Sequence, residues 1–400
     1  MSKLRDKRII LSLITLVIIM AGGVAAVLFA KGYTFSPTTR KVVNTGIITV
    51  NSTPEGASVY VDGHLTTATN ANLSQLSPRT YNIKIVKEGF ISWEKNVDVK
   101  EGLVTEIKAT LFPALPTMYP LTYNGVVGPT LSPDGTLLAF TVPMTSDAKV
   151  RQRGGVWVWA MSSAPISFNR SAQPQQVLVS APGFDFSKAK LTWSPDSKQI
   201  LVNIQEGDAP GEANQRNYLV PADRQNTVAD VKDITPTVTA TTQGWLDDQK
   251  QKDAARVATI INPDLKQVAS SSATVKWSPD ETKFIVVNDN KQPTNTKANS
   301  QKPTVTPTTA KAYDLTTNKS YDLPQALAYW WLPDSRHVIV VNADKISIVE
   351  DDGANDAVIF AGSFQPESVF SWPDSSRIVI LTSFNTPTAQ TPNLFGINLK

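Results

Sequence analysis

Five aspartates stand in nearly the same setting. Leu131 opens "LSPDG", Trp193 "WSPDS", Trp277 "WSPDE", Trp331 "WLPDS" and Ser371 "SWPDS". A carboxylate can serve as general acid or base, ligate a metal ion, or hold a turn by accepting backbone N–H bonds. Catalysis needs such a group once, in one environment. Five copies, each behind a proline, fit turn chemistry instead. Proline suits the second position of a type I turn and glycine the fourth, and the aspartate side chain bonds a nearby amide. Asp134, Asp196, Asp280, Asp334 and Asp374 are therefore read as structural. The expectation for catalytic, cofactor-binding and metal-binding residues is none.

Other reactive side chains are few. There are two histidines, His64 and His337, and no cysteine. Thiolate metal sites, disulfides and cysteine nucleophiles are excluded. A zinc site would need both histidines in one place, and they fall in different modules. No G-x-S-x-G, H-E-x-x-H or phosphate-binding loop is present. A Ser/His/Asp assembly through His337 has no local motif behind it, and His337 alternates with apolar residues as a strand residue does. The acidic run Asp351-Asp352-Gly353-Ala354-Asn355-Asp356 lacks the spaced glutamate of an EF-hand and reads as a hairpin.

These residues must be positioned by a chain of 400 residues, 41% hydrophobic and 18% charged, which suits a folded protein of more than one domain. A formal charge of +3 gives no reason to expect nucleic acid as a partner. Residues 9–30, "IILSLITLVIIMAGGVAAVLFA", carry no charge and match a hydrocarbon core of roughly 30 Å. Lys3, Arg5, Lys7 and Arg8 precede this stretch and only Lys31 follows closely. The positive-inside rule predicts a cytoplasmic tail (1–8), a single-pass anchor in the cell membrane, and everything beyond outside the cytoplasm. The rival is a cleaved signal peptide, whose apolar region runs about 7–15 residues.

Residues 31–45 read as a spacer. From 46 to 112 apolar residues alternate, as in Ile48/Val50, Val59/Val61 and Tyr81/Ile83/Ile85, which predicts a small unit of short antiparallel strands. Pro54-Glu55-Gly56-Ala57, followed by "VYVDG" and "EGFISW", resembles the PEGA domain, a small β-sandwich of cell-envelope proteins. Two departures stand out. "TTAT" follows the "DG" turn where Thr-Pro is usual, and Arg79-Thr80 replaces the usual glycine before "YNIKI". Each residue of the tetrapeptide has a turn-forming role.

Over residues 113–400 the prolines of the repeated turn fall at 133, 195, 279, 333 and 373. Each turn is followed by a strong strand, such as "KQILVN" or "RHVIVVN", and later by a second one. Repeats of this kind indicate a β-propeller with insertions. The residues that define the repeat are Trp193, Pro195, Asp196, Trp277, Pro279, Asp280, Trp331, Pro333 and Asp334. The tryptophans are expected to pack between blades. This unit resembles the TolB-like (PD40) propeller repeat, which implies fold more than function. "PTMYPLTY" (116–123) is expected to supply the outer strand of the last blade. Residues 241–272 lack alternation, and Ala254, Val257, Ala258 and Ile261 fall at helical spacing. They predict a helical insertion, its helix stopped by Asn262-Pro263; "GWLDD" read as a degenerate repeat would make six blades instead of five. "QEGDAPGEANQRN" and residues 291–310 read as exposed loops.

The fold expectation is thus mainly β: an N-terminal transmembrane helix, a PEGA-type β-sandwich, and a propeller with a helical insertion. The function expected is a non-enzymatic envelope surface protein whose propeller binds a protein, peptide or glycan. The alternative is an envelope hydrolase built on the propeller.

Overall fold

The structure is a computed structural model and describes residues 2–30, 32–36, 41–144, 154–161, 173–181, 184–205, 215–288, 307–383 and 391–400. Most of the first predicted loop and residues 291–306 of the second lie outside the described residues; the end of the second is strand, which begins at Thr308. The chain divides into two compact units, Met1–Ala114 and Leu115–Lys400.

In the first unit, helix α1 (Ser2–Ala30) is followed by a two-stranded hairpin, Tyr33–Ser36 with Lys41–Asn44. The predicted spacer is thus largely structured, because Tyr, Phe and Val around Pro37 favour extended backbone. Within α1, Leu11–Leu28 is long and apolar enough to cross a membrane, and none of it is buried in protein.

Two sheets follow. One orders Ala71–Leu76, Gly46–Thr53 and Val104–Thr110; the other His64–Ala68, Ser58–Val61, Thr80–Val86 and Trp93–Asp98. Ile48, Val50, Val59, Ile83 and Ile85 fill the space between them, fully buried. The expectation of antiparallel strands throughout is corrected at one place. Gly46–Thr53 and Val104–Thr110 run parallel, from Ile47 opposite Val104 to Thr53 opposite Thr110. They are the first and last strands of the module, and the intervening chain provides the long crossover that a parallel pair needs.

The second unit contains five four-stranded sheets among the described residues. Blade 1 begins at Val127–Leu131, blade 2 at Lys190–Trp193, blade 3 at Val275–Trp277, blade 4 at Ala328–Trp331 and blade 5 at Val369–Ser371. First strands of neighbouring blades approach each other, as in blades 1 and 2 and blades 3 and 4, so they form the inner edge. The strand after each turn is covered on both faces; Leu138 to Val142 are all buried. Blade 5 takes its fourth strand from the start of the unit, Met118–Pro120, which pairs with Asn393–Asn398. Gly396 makes this possible: a Cβ there would stand 2.9 Å from the Tyr119 ring. "GWLDD" lies inside helix α2 (Val238–Thr259), not in a sixth blade. Asn262-Pro263 does more than end that helix. Asn262 caps α3 (Pro263–Ser271), its Oδ1 accepting from the amides of Asp264 and Leu265.

Candidate functional site

The repeated turns are built alike. A bond from the residue after the aspartate to the carbonyl before the proline closes each: Gly135 to Ser132, Ser197 to Ser194, Glu281 to Ser278, Ser335 to Leu332 and Ser375 to Trp372, at 2.9–3.0 Å. The donor residue is left-handed in every case, with φ between 56° and 73°. Only Gly135 takes that conformation without strain. In each turn the aspartate accepts the amide two residues on, at 2.8–3.2 Å. Burial pushes up the carboxyls of Asp134, Asp280, Asp334 and Asp374, but bonds from hydroxyls, amides and His337 outweigh it. The Ser194 hydroxyl and the Lys198 amide lower Asp196. All five sit below the ordinary carboxylate range.

Two boundaries between blades repeat one pattern. Between blades 1 and 2, Trp193 Nε1 donates to Thr130 O at 3.0 Å and Asp134 N donates to Ser197 Oγ at 3.2 Å. Between blades 3 and 4, Trp331 Nε1 donates to Lys276 O at 2.9 Å and Asp280 N to Ser335 Oγ at 3.0 Å. At these two boundaries the left-handed serine thus ties one turn to its neighbour. Trp277 departs from the expectation of packing between blades. It lies against Phe284 of its own blade, in a cluster with Leu265 and Ala269 of α3, because the helical insertion lies there. Lys252 of α2 donates to Pro195 O at 3.1 Å, and Arg256 pairs with Glu281 at 2.8 Å. Pro195, Pro279 and Pro333 occupy the second position of their turns.

His337 is buried, its Nδ1 2.6 Å from Asp334 Oδ2. In three turns a serine hydroxyl holds the aspartate: Ser132, Ser194 and Ser278. Leu332 occupies that place in blade 4, and His337 takes over the contact. The signal was legible in "WLPDS", where Leu replaces Ser. His64 is exposed in the first unit. The acidic run is a hairpin, closed by Gly353 N to Glu350 O at 2.9 Å, with Asp351 3.4 Å from Lys283. Among the described residues no group of three or more His, Asp or Glu could hold a metal ion.

In the first unit Pro54, Glu55, Gly56 and Ala57 form a turn around Thr69. Thr69 O accepts from Gly56 N, and Thr69 Oγ1 accepts from the amide of buried Ala57 at 3.0 Å. Glu55 offers its carbonyl to Lys87. Thr69 belongs to the departing "TTAT", so the departure supplies the turn's anchor. Arg79, the other departure, pairs with Asp62 at 2.6 Å and lies over Tyr81. Asp62 is held low by the Asn82 amide and by Arg79.

The features with room for a ligand lie elsewhere. A cleft of about 680 Å³ opens between blades 1 and 2. Leu137 and Val158 give it an apolar base; Gln175, Lys198, Asp223 and Arg224 are its exposed polar lining. The Asp196 turn separates it from a second cleft of about 310 Å³, lined by Trp245, Asp248, Gln251 and Lys252 of α2. At the inner edge of blades 3 and 4, Lys276 Nζ lies 3.6 Å from the Trp330 ring centroid and donates to Tyr329 O at 2.8 Å. Burial lowers this amine to about 8. Trp330 is 43% exposed. None of these residues was legible as a site, because each gains meaning only from a neighbouring blade; the doubled "WW" at 330–331 was the one visible trace.

Residues 45–114 match the PEGA domain family. The chain is similar to a putative TolB from Agrobacterium tumefaciens, at 12% identity over 66% of this chain and 76% of that one, TM-score 0.22. TolB from Acinetobacter baumannii matches at 12% identity over 81% and 62%, TM-score 0.24. An oligogalacturonate lyase from Vibrio parahaemolyticus matches at 9% identity over 80% and 86%, TM-score 0.29. No curated protein matches. The propeller assignment stands on the strand pairing described above.

Proposed function

We propose that this chain is a membrane-anchored envelope protein whose propeller binds or scaffolds a protein, peptide or glycan. Its amino terminus is cytoplasmic and both folded units lie outside, as the charges flanking α1 favour. The observation that carries the reading is the cleft between blades 1 and 2. Its volume lies in the range of ligand sites, and it pairs an apolar base with a few charged and amide groups. The turn carboxylates beside it are engaged in holding backbone. Tethering adds effective concentration against partners in the same envelope, so a modest affinity suffices.

The full chain in detergent, screened against peptide and glycan arrays, tests this. Arg224→Glu combined with Lys198→Glu should abolish a specific hit while leaving the thermal midpoint unchanged. The hydrolase reading has one observation in its favour, the His337–Asp334 pair. Against it, His337 is only 2% exposed and its Nδ1 is committed to the turn. Hydrolysis of peptides, esters or glycosides that disappears in a folded His337→Ala variant would decide for the hydrolase.

A further inference from the structure

We infer that the PEGA module rests on the bilayer that α1 crosses, with residues 100–104 in the headgroup–acyl boundary. This relies on α1 being a membrane span. Twenty-two residues of helix, 9–30, rise about 33 Å, slightly more than a hydrocarbon core of roughly 30 Å. Gly32 therefore stands at the membrane–water boundary. Its carbonyl accepts both the amide of Thr45, at 2.8 Å, and the Thr45 hydroxyl, at 2.7 Å. Thr45 O in turn accepts from Gly102 N at 3.2 Å, and Asn44 N donates to Glu101 Oε1 at 3.2 Å. Ile47 N donates to Leu103 O at 3.0 Å. Gly46 allows this close approach; a Cβ there would stand 2.6 Å from Lys100 O. The 100–103 turn is thus linked, through Thr45, to Gly32, where α1 leaves the membrane.

What this turn presents is apolar. Leu103 is 55% exposed and Val104 is 63% exposed. A single exposed aliphatic residue needs no explanation, but the order along the strand Val104–Thr110 does. Its exposed positions read Val104, Glu106, Lys108, so the apolar one is at the end next to α1 and the charged ones lie farther along. Lys100 is exposed beside them, where an ammonium can reach lipid phosphates while its stem stays apolar. The partner of the surface is therefore a phospholipid bilayer.

The chain has no cysteine, so one introduced thiol reports one place. Leu103→Cys, Glu88→Cys and Leu16→Cys variants of the full chain would each carry an environment-sensitive fluorophore in phosphatidylcholine–phosphatidylglycerol vesicles. Glu88 is exposed in the turn at the far end of the strand Thr80–Val86, whose near end pairs with Asp98 just before residues 100–104. The Leu103 probe should be quenched by lipid-borne doxyl groups and shielded from aqueous iodide. The Glu88 probe should show the reverse, and the Leu16 probe should be shielded. A Leu103 probe as open to iodide as the Glu88 probe, with Leu16 shielded, overturns the docking and leaves the span intact. An iodide-accessible Leu16 probe overturns the span and the docking with it.

Discussion

The boundary between blades 3 and 4 and the boundary between blades 2 and 3 join the same repeat by different means. The first uses the motif residues directly: the Trp331 indole on Lys276 O and the Ser335 hydroxyl beneath Asp280 N. The second has Glu281 where the boundaries of blades 1 and 2 and of blades 3 and 4 have Ser197 and Ser335. Arg256 meets that glutamate from α2, Lys252 holds Pro195, and Trp277 packs against α3. A repeated motif therefore does not dictate a repeated contact. Where an insertion enters, it takes over the bonds that the motif makes elsewhere, and the motif residues turn to the insertion.

The largest effect should separate the two tryptophans. Trp331, 8% exposed and bonded across blades, should cost about 3–5 kcal/mol on replacement by Ala. Trp277→Ala should cost about 1–2 kcal/mol, since its ring is only partly buried. Denaturant midpoints at constant slope measure both. Equal losses would erase the distinction between the boundaries.

Acid should act next. The five turn aspartates titrate below their unfolded value of about 3.9, so their contribution is fully present above about pH 5. It should fade as pH drops through the lowered native values, with all five turns weakening together. Thermal midpoints recorded from pH 7 to pH 2 should fall on the acid side below about pH 4. A Pro-Asp contribution that rose there would contradict the carboxylate–amide bonds.

Ser335 offers a finer test. Ser335→Ala should cost about 1 kcal/mol, from the lost bond to Asp280 N. Ser335→Gly also loses that bond but releases the strain of φ 57°, so its midpoint should stay close to the parent. A glycine variant as damaged as the alanine variant would show that strain is not stored there.

The smallest effect belongs to the insertion. Arg256→Ala removes a partly exposed pair with Glu281 and should cost about 1 kcal/mol or less, shrinking further in salt. A loss as large as that of Trp331 would mean that α2 holds the ring together.

Much of this was legible beforehand because it is local. Proline before aspartate fixes a turn, alternation fixes strands, and an uncharged run of helix length fixes a candidate span. The helical spacing of Ala254, Val257, Ala258 and Ile261 marked the insertion for the same reason. The sequence by itself thus determined the order of modules, the repeat and the duty of its aspartates. Only the tertiary structure decided that Gly46–Thr53 pairs in parallel with a strand from the other end of its module, and that Met118–Pro120 completes the last blade with this register. It also decided that Trp277 serves α3, and that Arg224 faces the same cleft as Gln175. Each of these depends on which distant backbone arrives beside a residue. That is set by packing between blades and sheets, and no spacing within a single strand or turn contains it.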